Sequence, residues 1–177
     1  MPEQEHYVIR PALPRDIPVL IAMFNRTMPL VYKGIVPDEL FPERLGIIAT
    51  TLWREWTFVS VLHRATPGEA LSLAEIPEHR GCGDPDGVGG LVHIVNDSHI
   101  GLLWLDDAFR GHGCGASLLD FAERHIAGTG HEEATLEVYA ENTEAVKFYK
   151  HKGWKVSRRY VGEVGALVLA MHKELAG

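Results

Sequence analysis

Gly111, Gly113 and Gly115 alternate through the stretch Phe109-Arg110-Gly111-His112-Gly113-Cys114-Gly115-Ala116-Ser117-Leu118-Leu119, where an apolar run gives way to an amphipathic one. Glycine at such a turn removes Cβ and permits positive φ, so successive backbone N–H groups can converge on an anion at the positive end of the following helix. A diphosphate is the natural guest. Charge-assisted hydrogen bonds contribute roughly 1.5–3 kcal/mol each, so four or five amides hold such a group without a lysine, with Arg110 adding charge from one side. The spacing is neither that of a GxxxxGK[ST] phosphate loop nor that of the dinucleotide fingerprint GxGxxG, and it comes late in the chain. A purely structural role, tightening a strand-to-helix turn, is the other reading of these glycines.

Titratable groups inside apolar stretches form the second set. In Ala134-Thr-Leu-Glu-Val-Tyr-Ala140, alternation puts Leu136 and Val138 on one face and Thr135, Glu137 and Tyr139 on the other. A carboxylate within a strand is either functional, solvated, or the partner of an Arg or Lys. His93, in Leu91-Val-His-Ile-Val95, and Asp106, at the end of an apolar run, are two further candidates. The ten His are scattered without HExxH or CxxC spacing, so no metal site is expected.

The elements that must position these groups follow from periodicity. Residues 7–10 read as an opening strand; Ile17, Leu20, Ile21 and Phe24 hold helical spacing, with Asp16 as the expected N-cap. A second helix is expected within 38–55, Pro42 lying in its first turn or at a break. Strand character returns at Phe58–Leu62, and the Gly-, Pro- and acid-rich residues 64–87 read as a long connection, either a surface loop or a substrate lid. Two strands then flank a turn at Asn96-Asp97-Ser98. A helix follows the glycine turn, with Leu119, Ala122 and Ile126 on one face. The strand carrying Glu137 leads to a short helix capped by Asn142 and closed by Gly153 and Trp154, and two strands, about 154–161 and 166–172, end the chain. The order β-α-α-β-β-β-α-β-α-β-β predicts one α/β (α+β) domain over residues 1–177 with a mixed sheet.

Composition bounds the function. At 177 residues with 46% hydrophobic content the chain can fill a core. Its 17 Lys+Arg against 24 Asp+Glu give a net charge of −7 with no basic block, which argues against a nucleic-acid partner. Two cysteines cannot build a disulfide framework, the acidic N-terminus has no apolar leader, and no apolar run approaches the ~20 residues of a membrane span. A cytoplasmic protein without membrane contact is expected.

The glycine turn resembles the [QR]xxGx[GA] segment of the GNAT superfamily of N-acetyltransferases, standing here as Arg110 to Gly115 followed by Ala116. The family's later segment NxxAxxFYxxxGF is matched by Asn142, Ala145, Phe148, Tyr149 and Gly153, with Trp154 in place of the usual Phe. The opening strand and helix fit as well. The resemblance implies a mixed, mostly antiparallel sheet flanked by helices and splayed at the fourth and fifth strands, about 100–106 and 134–140. It implies acetyl-CoA as co-substrate and a primary amine as acceptor, attacked directly. By that likeness the diphosphate lies on amides of residues 110–116, namely Arg110, Gly111, His112, Gly113, Cys114, Gly115 and Ala116. The pantetheine arm would pair with the backbone of Leu103 and Leu105, with Asn142 and Ala145 near it.

The same resemblance implies that the Leu103 N–H donates to the thioester carbonyl and that Tyr149 protonates the departing thiolate, although Tyr149 can also be read as a packed aromatic. An alkylammonium of pKa near 10.4 is neutral in only about one part in a few thousand at pH 7, so a proton acceptor is needed. Glu137 is the first candidate, His93 the second, with Asp106 and a chain of waters as further alternatives. Neither cysteine suits a covalent intermediate: Cys114 lies in the phosphate turn. Residues 25–56 and 64–87 are expected to form the acceptor pocket, where Tyr32, Phe41, Trp53 and Trp56 either wall an ammonium or belong to the core, the core being favoured for the two tryptophans. A sensor of acetyl-CoA without catalysis and a transferase of longer acyl groups are the competing functions, and a homodimer is expected from resemblance alone.

Overall fold

The computed structural model describes residues 7–64 and 87–176. In chain order these form β1 (Tyr7–Pro11), α1 (Ile17–Val31), α2 (Phe41–Glu55), β2 (Val59–Arg64), β3 (Val88–Val95), β4 (His99–Leu105), α3 (Cys114–Gly128), β5 (Glu133–Tyr139), α4 (Thr143–His151), β6 (Lys155–Val161) and β7 (Leu167–Glu174). The expected order holds, and the sheet runs β1-β2-β3-β4-β5-β7-β6. All neighbours are antiparallel except β4 and β5. That parallel pair is short, joining only His99 to Thr135 and Ile100 to Leu136 before the strands part. Most of the connection read at 64–87 lies outside the described residues.

Local chemistry accounts for the element ends. Pro42 sits in the first turn of α2, where its missing N–H costs nothing. Asn96 and Asp97, both at left-handed φ (51° and 59°), are the central pair of the turn Val95–Ser98 within the three-residue connection between β3 and β4, whose twist such turns match. Gly153, at φ 88°, ends α4, and the Trp154 N–H returns to the Tyr149 carbonyl at 3.0 Å while the indole buries itself. Two expected caps are corrected. Asp16 turns its carboxylate back to the Leu13 N–H at 2.7 Å and to Arg10, and Asn142 makes no side-chain bond to the first turn of α4.

The sheet separates two cores. One packs Leu118, Leu119, Ala122 and Ile126 of α3 and Val146 and Tyr149 of α4 against Val92, Leu136 and Met171. The other packs Ile17, Leu20, Phe24 and Leu52 of α1 and α2 against Val61, Leu91 and Trp104. Strand β4 changes step between them. Its pairing with β3 skips Gly101, so Ile100, Leu103 and Leu105 face the α3/α4 core while Leu102 and Trp104 face α1 and α2. A bulge of this kind adds one residue and reverses the alternation beyond it.

Candidate active site

The glycine turn begins where β4 ends. Asp106 accepts from the Ala108 N–H at 3.3 Å and so starts the tight turn Asp107–Phe109. Gly111 (φ 79°) and Gly113 (φ 76°) take left-handed conformations, and Gly113 is the residue before α3. The Ser117 N–H closes on the Gly113 carbonyl at 3.0 Å. A helix start leaves the amides before such a bond without intrahelical acceptors, a ready anion cradle. Gly115 is already within α3, so two of the three glycines have the positive φ that the spacing suggests. Arg110 is exposed, its Nε 3.0 Å from Asp107 Oδ1. His112 is also exposed, Ala116 and Ala145 are half-buried, and Cys114 is buried.

Beside the turn lies the gap between β4 and β5. The Asp106 N–H donates to the Gly89 carbonyl of β3 at 2.7 Å, and the Thr135 N–H of β5 donates to the Ser98 carbonyl at 3.0 Å. Alternation from both ends, with the step at Gly101, turns the peptide groups of Leu103 and Leu105 toward the gap. An extended chain laid there would find strand-like partners. Asn142 and Arg110 line a cleft of about 530 Å³ together with Lys33, Gly34 and Glu141.

Tyr149 is only 8% exposed, and burial pushes its phenol up to about 12. Its ring packs beside Phe148 and Trp154, with centroids 5.3 and 6.1 Å away. Tyr32 is raised by burial and, more weakly, by Tyr139 and Tyr149.

On the opposite face, Phe24, Met28, Tyr32, Leu102, Trp104 and Tyr139 line an apolar cleft of about 200 Å³ with Arg44 at its edge. Tyr32 meets Trp104 and Tyr139 edge-on, with centroids 5.4 and 5.2 Å apart. Phe41 belongs to the core and Trp56 packs partly against it. Trp53 is corrected: it is 49% exposed, neither core nor cleft wall, because helical spacing alone did not reveal which face of α2 meets the sheet.

The titratable candidates separate. Glu137 is exposed on the α1/α2 side and accepts from the Tyr160 hydroxyl at 2.6 Å, which raises the Tyr160 phenol. His93 is 3% exposed, with Nε2 3.0 Å from Glu55 Oε2. Burial holds its imidazole below the ordinary histidine value, against the pull of Glu55. His99 is likewise lowered by burial, partly offset by Glu137. Asp106 is engaged by Arg26 of α1. Glu55, Trp104 and Tyr139 escaped the sequence reading as site residues. The period-two pattern had put Tyr139 on the Glu137 face, which was the available signal; no local signal ties Glu55 to His93.

Among the described residues no group of His, Cys, Asp or Glu is arranged to hold a metal ion, and no helix is long and apolar enough to cross a membrane.

The model of the family described as acetyltransferase (GNAT) domain matches residues 79–175. A curated relative, the peptidyl-lysine N-acetyltransferase YjaB of Salmonella typhimurium, is 34% identical over 104 residues, 58% of this chain and 68% of its own. Two solved structures share the fold. A GCN5-related N-acetyltransferase from Rhodopseudomonas palustris superposes with a TM-score of 0.71 at 17% identity, covering 95% of each chain. The PaiA N-acetyltransferase of Thermoplasma acidophilum, in complex with coenzyme A, gives 0.69 at 18% identity, covering 96% of this chain and 99% of its own.

Proposed function

The chain belongs to the GNAT acetyltransferase family, and from that premise we propose that it transfers acetyl from acetyl-CoA by direct attack to a peptide lysine, within the gap between β4 and β5. Acetyl-CoA is the co-substrate and a primary amine the acceptor class; the peptide lysine is the finer reading, supported by the relative from Salmonella typhimurium. The single observation that carries the chemistry is that the outward peptide groups of Leu103 and Leu105 open beside the glycine turn, so one extended thioester can meet both.

In this reading the amides from Arg110 to Ala116 hold the diphosphate, with helix polarity in place of lysines. Asn142 and Ala145 border the arm at the start of α4. The Leu103 N–H holds the negative charge that grows on the acyl oxygen, an effect worth about 2.7–4 kcal/mol for one such donor elsewhere. Tyr149 supplies a proton to the leaving sulfur. Its raised phenol favours the neutral, donating form. Removal of the ammonium proton falls to the titratable groups on the α1/α2 side, Glu137 and His93 among them.

The acceptor would enter past Tyr32, Trp104 and Tyr139, whose apolar walls suit the methylene stem of a lysine and whose rings suit its charge. The two-cysteine composition supports a reducing, cytoplasmic setting, and the open edge of β6 supports a homodimer.

The test is release of CoA thiol from acetyl-CoA in the presence of lysine peptides, peptides with only a free N-terminus, and small amines. We expect release with an acceptor and none without, the lysine peptides being best. Tight acetyl-CoA binding with no release on any amine would replace transfer by the sensing function.

A further inference from the structure

His93 is a polar side chain in the middle of the sheet, 3% exposed, with its Nε2 sealed from solvent. The Glu55 carboxylate lies 3.0 Å from that nitrogen, and its charge and its bond to the ring both favour the protonated imidazole. A buried histidine held by a carboxylate inside a sheet calls for a use.

The surroundings indicate one. His93 shares the α1/α2 face, and its cross-strand neighbour on β4 is Leu102, a wall of the apolar cleft. Its Nδ1 lies over the bulge, 3.2 Å from where a Cβ on Gly101 would stand. Gly101 is exposed, so the missing side chain leaves that nitrogen bordering a backbone open to solvent. The carboxylate next to Nε2 favours the tautomer with its hydrogen there, which leaves the Nδ1 lone pair free.

We infer that His93 and Glu55 form the proton-accepting pair for the acceptor amine, Nδ1 taking the ammonium proton through water at Gly101 while Glu55 stabilises the charge the imidazole gains. This rests on the acetyl-transfer reading. An ammonium N–H bond breaks and its proton passes through water to Nδ1. The electron pair left on nitrogen forms the bond to the acyl carbon, and the proton later leaves for bulk water. His93 acts through water and is a relay rather than a group that touches the amine. Glu137 is less suited because its carboxylate already accepts from Tyr160.

The titratable groups facing His93 among the described residues are Glu55 from the end of α2, with Arg54 bonded to that carboxylate, and His99 from β4. Its cross-strand partners Val59 and Leu102 carry no charge. Burial holds the imidazole unprotonated at neutral pH, so a ring nitrogen is free to accept, while Glu55 offsets part of the loss of basicity.

The experiment measures kcat against pH for the full chain with its best amine, for His93→Gln and for Glu55→Gln, alongside acetyl-CoA affinity. Loss of His93 should lower kcat by about 100-fold or more and abolish the acid limb, leaving acetyl-CoA affinity unchanged. Glu55→Gln, at a half-buried surface position, should lower kcat and move the acid limb to lower pH, because the imidazolium loses its counter-charge. A folded His93→Gln with the parent's kcat and acid limb overturns the inference. Should that variant not fold, an unmoved limb in Glu55→Gln overturns it equally. A parent that acetylates no amine fails the transfer reading itself, which separates the two.

Discussion

Trp104 of β4 donates its indole N–H to the Thr27 hydroxyl of α1 at 2.8 Å, and that hydroxyl donates onward to the Met23 carbonyl at 2.7 Å. All three residues are buried, so this relay fixes the ring that forms one wall of the apolar cleft proposed to take the acceptor. Thr27→Val keeps the shape and removes the acceptor. The stranded indole N–H should cost about 1–3 kcal/mol, read as a lower urea midpoint. The acceptor KM should rise while acetyl-CoA affinity holds.

Tyr149→Phe separates binding from chemistry. If Tyr149 donates the proton as proposed, its loss should lower kcat by about 100-fold or more, with acetyl-CoA affinity unchanged by calorimetry. Equal turnover in variant and parent removes Tyr149 from the reaction.

The same residue makes an alkaline prediction. Above pH 10.0, the phenol's ordinary value, the unfolded chain ionises Tyr149 while the folded chain keeps it neutral up to about 12. The unfolded state then binds fewer protons, so stability falls across that window, by up to about 2–3 kcal/mol from this group. Denaturant melts of parent and Tyr149→Phe should therefore diverge between those values, the parent losing more.

Gly113→Ala tests the anion cradle. Nothing lies within 4 Å of the added Cβ, but φ 76° imposes a left-handed alanine, costing roughly 1–2 kcal/mol. Acetyl-CoA affinity should fall by tenfold or more as the turn relaxes. Gly46→Ala is the matched control: it lies inside α2 with open space around it, and should stabilise by roughly 0.5–1 kcal/mol without changing that affinity.

Arg10 and Asp16 supply a test of stability alone. Burial, the largest single influence, would raise the Asp16 carboxyl, but bonds from Arg10 and the Leu13 N–H with the nearby Arg charges outweigh it and hold it below the ordinary value. The stability this confers is present above the ordinary carboxylate range and is lost as pH falls through the lowered value. Arg10→Met strands a carboxylate of which only 3% is exposed and should cost about 3–5 kcal/mol, seen in thermal melts at neutral pH.

What the sequence made legible was local. The glycine turn, the three-residue hairpin connection, the end of α4 and the apolar face of α3 each depend on residues a few positions apart, and each is found where spacing predicts it. The insertion of β7 between β5 and β6, the open face under Trp53 and the approach of Glu55 to His93 depend on how distant segments dock, for which one chain's periodicity carries no term. Asp16 shows the limit at short range: an acidic residue before a helix can cap it or turn away, and Arg10 on the neighbouring strand decided.

The skipped pairing at Gly101 acts on β4 as an inserted letter acts on a reading frame. Past it, Leu103 and Leu105 share a face with Ile100, although the residue numbers alone would set them on opposite sides. Deletion of Gly101 would remove the extra residue and leave Leu102 opposite His93, Leu103 opposite Val92 and Leu105 opposite Gly90, so both cores and the gap would keep their residues and only the space beside His93 Nδ1 would change. The strand thus carries one residue more than its partner without moving either core.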